Sequence, residues 1–217
     1  MIPRRFSDFD REELHEIFGL KRIRPFPILE QWIAQAKNFP EIPYADFVER
    51  LQQKLIDRVD YWNEWELIQY FIAPIISIVN FDTEYFHLFS QHLIKATVGE
   101  YELSGEPDMV IARGDKNPKN PYFCFHEYKK ENEPKGDPAA QVLVAMLAAQ
   151  ELDQHQNPIY GIYIAGRNWY FLVLHEKEYG ITTGHNSADE GIYDIIRILE
   201  ALKAILIEIA TPKIIPT

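Results

Sequence analysis

The spacing of apolar residues switches between helical and strand periods several times along this chain, and that alternation narrows its possible folds more than any other feature. The first 61 residues read as helices separated by prolines. Asp10 with Glu13 marks a capped start and Gly19 a stop, a second short helix covers Leu29 to Lys37, and a third runs from Tyr44 to Tyr61. From Glu64 to Val79 nearly every face is apolar, as in a helix buried on several sides, and Pro74 predicts a kink or break between Tyr70 and Pro74. Strand patterns follow at His92 to Val98, Tyr101 to Leu103, Asp108 to Ala112 and Tyr122 to Lys130.

Pro138 to Leu152 then reads as a helix carrying Ala139, Ala140, Ala145, Ala148 and Ala149, small enough to lie close on a sheet. Ile159 to Ala165 and Trp169 to His175 read as strands joined by Gly166-Arg167-Asn168. Ser187 with Glu190 resembles a capping box for a long last helix, which Pro212 stops. The order helix, strands, helix, strands, helix implies an α/β protein with a mixed sheet and helices on both faces. The expected organisation is an N-terminal helical extension, residues 1–61, packed on an α/β core at 62–217, together one compact unit.

A hydrophobic share of 47% in 217 residues is enough for one substantial core and argues against disorder. The longest apolar stretch, Phe71 to Val79, falls far short of the roughly 20 residues a membrane span needs, so no membrane partner is expected. No apolar signal segment follows the charged start, and secretion is not expected. Cys124, the single cysteine, excludes an internal disulfide and a cysteine-based zinc site and suits the cytoplasm. The net charge of -11 disfavours a chain living by non-specific nucleic-acid binding, so any such contact must come from a local basic patch. One candidate lies between residues 113 and 136, where Arg113, Lys116, Lys119, Lys129, Lys130 and Lys135 outnumber the acids.

Two segments place acids beside apolar strand residues: Gly105-Glu-Pro-Asp108-Met-Val-Ile-Ala and Phe123-Cys-Phe-His-Glu127-Tyr-Lys129-Lys. Strand alternation puts Glu127 and Lys129 on one face with Phe123 and Phe125, and His126, Tyr128 and Lys130 on the other. If Asp108 ends its strand next to Glu127, two carboxylates about 4 Å apart repel by about 4 kcal/mol at an effective dielectric of 20. Either one takes up a proton or a divalent cation binds between them, and hard oxygen donors favour Mg²⁺ or Mn²⁺ over zinc. Lys129 would then orient or deprotonate a water, a chemistry suited to phosphodiester hydrolysis. Seven scattered histidines offer no paired spacing for a metal, Gly161 and Gly166 lack the Lys-Ser/Thr of a phosphate loop, and Trp169, Tyr170 and Phe171 read as packing.

Pro107-Asp108, a gap of 19 residues (127 minus 108), and Glu127-Tyr128-Lys129 together resemble the PD-(D/E)XK nuclease superfamily, over roughly Trp62 to Glu200. The run from Pro158 to Leu174 is similar to the strand pair of small bacterial and cyanobacterial members. The resemblance implies a restriction-endonuclease-like fold and a Mg²⁺- or Mn²⁺-dependent nuclease acting on nucleic acid, with DNA favoured. It makes Asp108 and Glu127 metal ligands, the Tyr128 carbonyl a completing ligand and Lys129 the catalytic lysine. An acid on the preceding helix and a polar residue on the following one would be Glu66 and Gln141. Glu64 and Glu66 lie about 200° apart on a helix, so only one faces the site; Glu66 is preferred, with Glu64 in reserve. Lys116, Lys119, Lys130 and Lys135 are the expected nucleic-acid contacts, with a homodimer or a partner subunit as a further source of them. The alternative is a catalytically inactive nuclease-fold module that binds nucleic acid or a protein.

Overall fold

A computed structural model describes residues 1–131, 136–153 and 157–211. The chain opens with strand β1 (Ile2–Arg5), a 3-10 turn at Phe6–Asp8, helix α1 (Arg11–Phe18), strand β2 (Lys21–Arg22), helix α2 (Pro27–Gln35) and helix α3 (Ala45–Arg58). Next come α4 (Glu64–Leu67), a π-helical turn at Ile68–Ile72 and α5 (Ala73–Val79). Four strands follow, β3 (His87–Ser90), β4 (Ile94–Val98), β5 (Tyr101–Gly105) and β6 (Met109–Arg113), and then the long β7 (Lys119–Lys129). Helix α6 (Pro138–Asp153) leads into β8 (Ile159–Ala165), β9 (Asn168–His175), β10 (Glu178–Ile181) and β11 (His185–Asn186), and α7 (Gly191–Ala210) closes the described chain.

The strands form two sheets. The larger is mixed, in the order β2-β10-β9-β8-β7-β6-β3, with β11 attached to β9; the smaller is β1-β5-β4. β7 lies between antiparallel β6 and parallel β8, and α6 is the crossover that the parallel pair requires. Met109, Ile111, Tyr128, Ile162 and Phe171 point into one core beneath α2, α3, α5 and α7, while Val110, Phe125, Leu172 and Leu174 point into a second core with α6. The first 61 residues are not only helical: β1 pairs in parallel with β5 and β2 with β10, so the N-terminal segment adds strands to both sheets.

Local chemistry explains several boundaries. Asp10 and Glu13 form a reciprocal capping box at α1, and Gly19 ends it in the left-handed region at φ 72°. Pro74 has no N–H to give, and the helix absorbs the missing bond in the π turn just before it, which ends with the Ala73 N–H donating to the Ile68 carbonyl. Helix α6 is apolar all round because the large sheet covers one side and β4, β5 and the Phe6 turn cover the other. Its alanines permit this, and so does Gly161 on β8, where an added β-carbon would come within 2.5 Å of Val142 Cγ1 and 2.8 Å of Met146 Sδ.

Three expectations fail for non-local reasons. Strand β3 pairs with β6, and β10 and β11 pair with β9, although none has a strong pattern of its own. A bulge sets Ile111 opposite Cys124 but Ala112 opposite Tyr122; Phe123 is the extra residue and packs on Phe86 in the other core, away from Phe125 and the face of Glu127. Ser187 caps no helix: its hydroxyl donates to the Arg167 carbonyl at 2.8 Å, and α7 begins after Glu190.

Gly161→Ala should lower unfolding stability by about 1–3 kcal/mol through overpacking between β8 and α6, read as a fall in urea midpoint at unchanged slope.

Candidate functional site

The site is built where β6 begins and β7 ends. The ladder between these strands starts at Met109 opposite His126, and one residue earlier the Asp108 side chain substitutes for a strand: its Oδ2 accepts the Tyr128 N–H at 2.7 Å. That bond carries Asp108 to the level of Glu127. The Tyr128 side chain lies fully buried on the opposite face, where its hydroxyl meets His126 Nδ1 at 2.8 Å and donates to Met109 Sδ at 3.1 Å. Burial pushes the His126 imidazole down to about 3, so the ring stays neutral and serves as a structural brace.

Beyond the site the chain is pinned again. The Lys129 carbonyl accepts the Gly166 N–H at 2.9 Å. Glu131 accepts from the Arg167 backbone and side chain at 2.7 and 3.0 Å, and Arg167 reaches Asp60 at 2.9 Å. Gly166, at φ 56°, is required there, because a side chain would collide with the Glu131 carboxylate.

On the face toward α6, Lys129 Nζ donates to Glu127 Oε1 at 2.6 Å and lies 3.8 Å from Glu64 Oε2. The side chains of Lys129 and Glu127 are only 15% and 13% exposed, so this pair sits where water screens it poorly. Burial, followed by the neighbouring Asp108 charge, pushes Glu127 up to about 7 despite Lys129. Burial also pushes Asp108 up to about 6, against the opposing pull of the Tyr128 N–H and Lys129. Burial works against the Lys129 ammonium too, yet Glu127, Glu64 and Asp108 together outweigh it and hold its pKa above the usual lysine value. Lys129 is therefore a cation and hydrogen-bond donor at neutral pH, not a base.

Glu127 and Lys129 open onto a cleft of about 630 Å³ bounded by α6 and the small sheet, and Gln141 of α6 lines the same cleft. Glu66 does not join them. Its carboxylate accepts the Asn63 N–H at 2.9 Å in a reciprocal cap of α4, and Glu64, one residue into that helix, is the acid that reaches Lys129. The helical wheel separates the two acids correctly, but only the cap decides which is spent on the helix end.

The expected basic patch is split. Lys119 is exposed at the far end of β7, ten residues from Lys129 or about 30 Å along an extended strand, and Lys116 is exposed in the loop before it. They cannot share a phosphate with the site. Lys130 stands beside it and is half-buried, and Lys135 lies outside the described residues.

Among the described residues no group of three His, Cys, Asp or Glu side chains forms a ready-made metal cage. Asp108 and Glu127 are nevertheless hard oxygen donors, and burial raises both above the usual carboxylate range, with the neighbouring Asp108 charge adding to the rise at Glu127. That fits Mg²⁺ or Mn²⁺, since Mg²⁺ characteristically takes one or two carboxylates and fills its shell with water and substrate phosphate.

The two raised acids also set a sign. Their neutral forms favour folding, so the stability they contribute is present below their unfolded values of 3.8 and 4.5 and is lost as pH rises through about 6 and 7. An Asp108→Asn, Glu127→Gln chain should therefore gain urea midpoint over the natural chain as pH rises from 4.5 to 8; a constant gap would show that these carboxylates do not carry the strain. No protein-family model and no curated protein matches the chain, so the chemistry of the site must be read from its own residues.

Proposed function

We propose that this chain is a metal-dependent nuclease with a restriction-endonuclease-like core of the PD-(D/E)XK type, cleaving nucleic acid, DNA before RNA, in the cytoplasm. The observation that carries this reading is the meeting of Asp108, Glu127 and Lys129 at one strand end, with Glu127, Lys129 and Gln141 facing one cleft. The mixed sheet flanked by helices, with the Asp108 and Glu127 strands adjacent, supports the fold assignment.

Asp108 and Glu127 would hold the divalent ion. When bound, it would supply Lewis-acid stabilisation of charge developing on a scissile phosphate. Lys129, kept protonated by its three acidic neighbours, would use the N–H donors that Glu127 leaves over to grip a phosphate oxygen or orient the attacking water. Glu64 holds Lys129 from the α4 side, and Gln141 would offer an amide to the same water or phosphate. Trp65, next to Glu64 and 63% exposed, provides an aromatic face on which an unpaired base can stack.

One observation favours a second reading. Lys129 already bonds Glu127 at 2.6 Å, and Asp108 already has a donor in Tyr128, so the three residues also suit a structural knot in a non-catalytic binding module.

Calorimetric Mn²⁺ titration separates the two. The nuclease should bind Mn²⁺, Asp108→Ala should lose that binding, and Lys129→Ala should lower Mn²⁺-dependent cleavage by at least 100-fold with the fold intact; undiminished cleavage by Lys129→Ala would refute its role. Glu66→Gln, altering only a cap, should leave cleavage within about twofold, whereas Glu64→Gln should reduce it.

A further inference from the structure

The cleft has a second wall, made by the small sheet, and its chemistry is the reverse of the acidic corner. Strand register sets Arg5 of β1 opposite Ser104 of β5, and Ser104 opposite Lys95 of β4. Residues directly opposite in neighbouring strands share a face, and all three of these line the cleft that holds Glu127 and Lys129. Arg5 and Lys95 therefore flank a hydroxyl, two strand spacings or about 10 Å apart.

Neither cation is used by the fold. Arg4, one residue earlier and on the other face of β1, is consumed by the Asp8 carbonyl, by Glu13 and by the Phe9 ring. Arg5 and Lys95 are exposed, and neither forms an ion pair among the described residues. The other charged groups lining the cleft are Lys129, Glu127 and Glu106, so cations outnumber acids there in a chain of net charge -11.

We propose that the small sheet is the phosphate-holding wall of this protein, with Arg5, Ser104 and Lys95 gripping the phosphodiester backbone of a nucleic-acid duplex that crosses the cleft toward Lys129. The inference rests on the nuclease reading for its purpose but not for its test. It moves the nucleic-acid contact from Lys119, some 30 Å from Lys129 along β7, and Lys116 in the loop before it, to a surface that shares the cleft. Arginine offers a planar fork to phosphate, lysine a point charge and serine a hydroxyl donor, a set that reads backbone and not sequence.

The test is fluorescence anisotropy of a labelled 20-base-pair DNA duplex with the full chain in EDTA, where metal-dependent cleavage cannot interfere. The natural chain should bind. Arg5→Glu with Lys95→Glu should weaken binding at least tenfold and reduce the slope of log affinity against log salt by about 2, since each phosphate contact contributes about 0.9. Lys116→Glu with Lys119→Glu should change affinity less than twofold. If the charge-reversed chain does not fold by circular dichroism, Arg5→Ala with Lys95→Ala replaces it, with a smaller loss in the same direction.

Unchanged affinity in the Arg5 and Lys95 variants, or no duplex binding by the natural chain, would overturn the proposal. So would equal displacement of the probe by inorganic phosphate at the same phosphate concentration, which would mark a small-anion pocket. Loss of binding in the variant, in a chain that never cleaves with Mn²⁺, would uphold the wall while the nuclease reading fails. Cleavage that survives both substitutions with unchanged KM would do the opposite.

Discussion

A half-buried carboxylate that completes a β-ladder holds the site together. Asp108 takes the Tyr128 N–H as a strand carbonyl would, and in doing so brings a second negative charge to the end of β7, where Glu127 already sits with little water. A buried acid held near another costs free energy unless something balances it. Here the balance comes from Lys129, bonded to Glu127 and reached by Glu64 from a different helix. Neither acid is fully relieved, and both remain above their ordinary range. The surrounding pins, from the His126–Tyr128–Met109 chain to the Glu131–Arg167–Asp60 relay, hold the site in that condition.

The rest of the architecture makes such a corner accessible. Helix α6 lies between two sheets, tight on Gly161 on one side and against the small sheet on the other. Because it covers only part of the face of β7, the strand end beyond Phe125 emerges into a cleft instead of a core. Its tie to α1, through Arg11 and Asp137 at 2.6 Å, fixes the turn from which Gln141 projects. The cleft is thus asymmetric, with Glu127 and Lys129 on the large sheet and, on the small sheet, Arg5 and Lys95, which form no ion pair among the described residues, beside Glu106.

Much of this is legible in the sequence. The helices of the N-terminal segment, the break before Pro74, the alanine-rich helix and the strands carrying Asp108 and Glu127 all follow from period and capping, which are local. The side-by-side emergence of Glu127 and Lys129 needs only strand alternation. Less legible were features whose cause lies elsewhere in the chain. The bulge that turns Phe123 away is imposed by pairing with β6, and β3, β10 and β11 are strands because a partner edge accepts them. Glu66 and Glu64 differ in role because Asn63 claims one of them, a choice that the helical wheel does not contain. The run of lysines looked like one patch because it is continuous in sequence, whereas an extended strand carries its two ends far apart.

By itself, then, the sequence determined the helices, the strands with a strong pattern of their own and the pairing of acid and lysine on one strand face, since each depends on residues within a few positions of one another. Only the tertiary structure decided that Asp108 completes the ladder beside Glu127, that Glu64 closes on Lys129, and that Arg5 and Lys95 meet across Ser104. Those juxtapositions join residues up to 99 positions apart (104 minus 5), and the register that creates them is set by burying two cores at once, a condition no local window of sequence expresses.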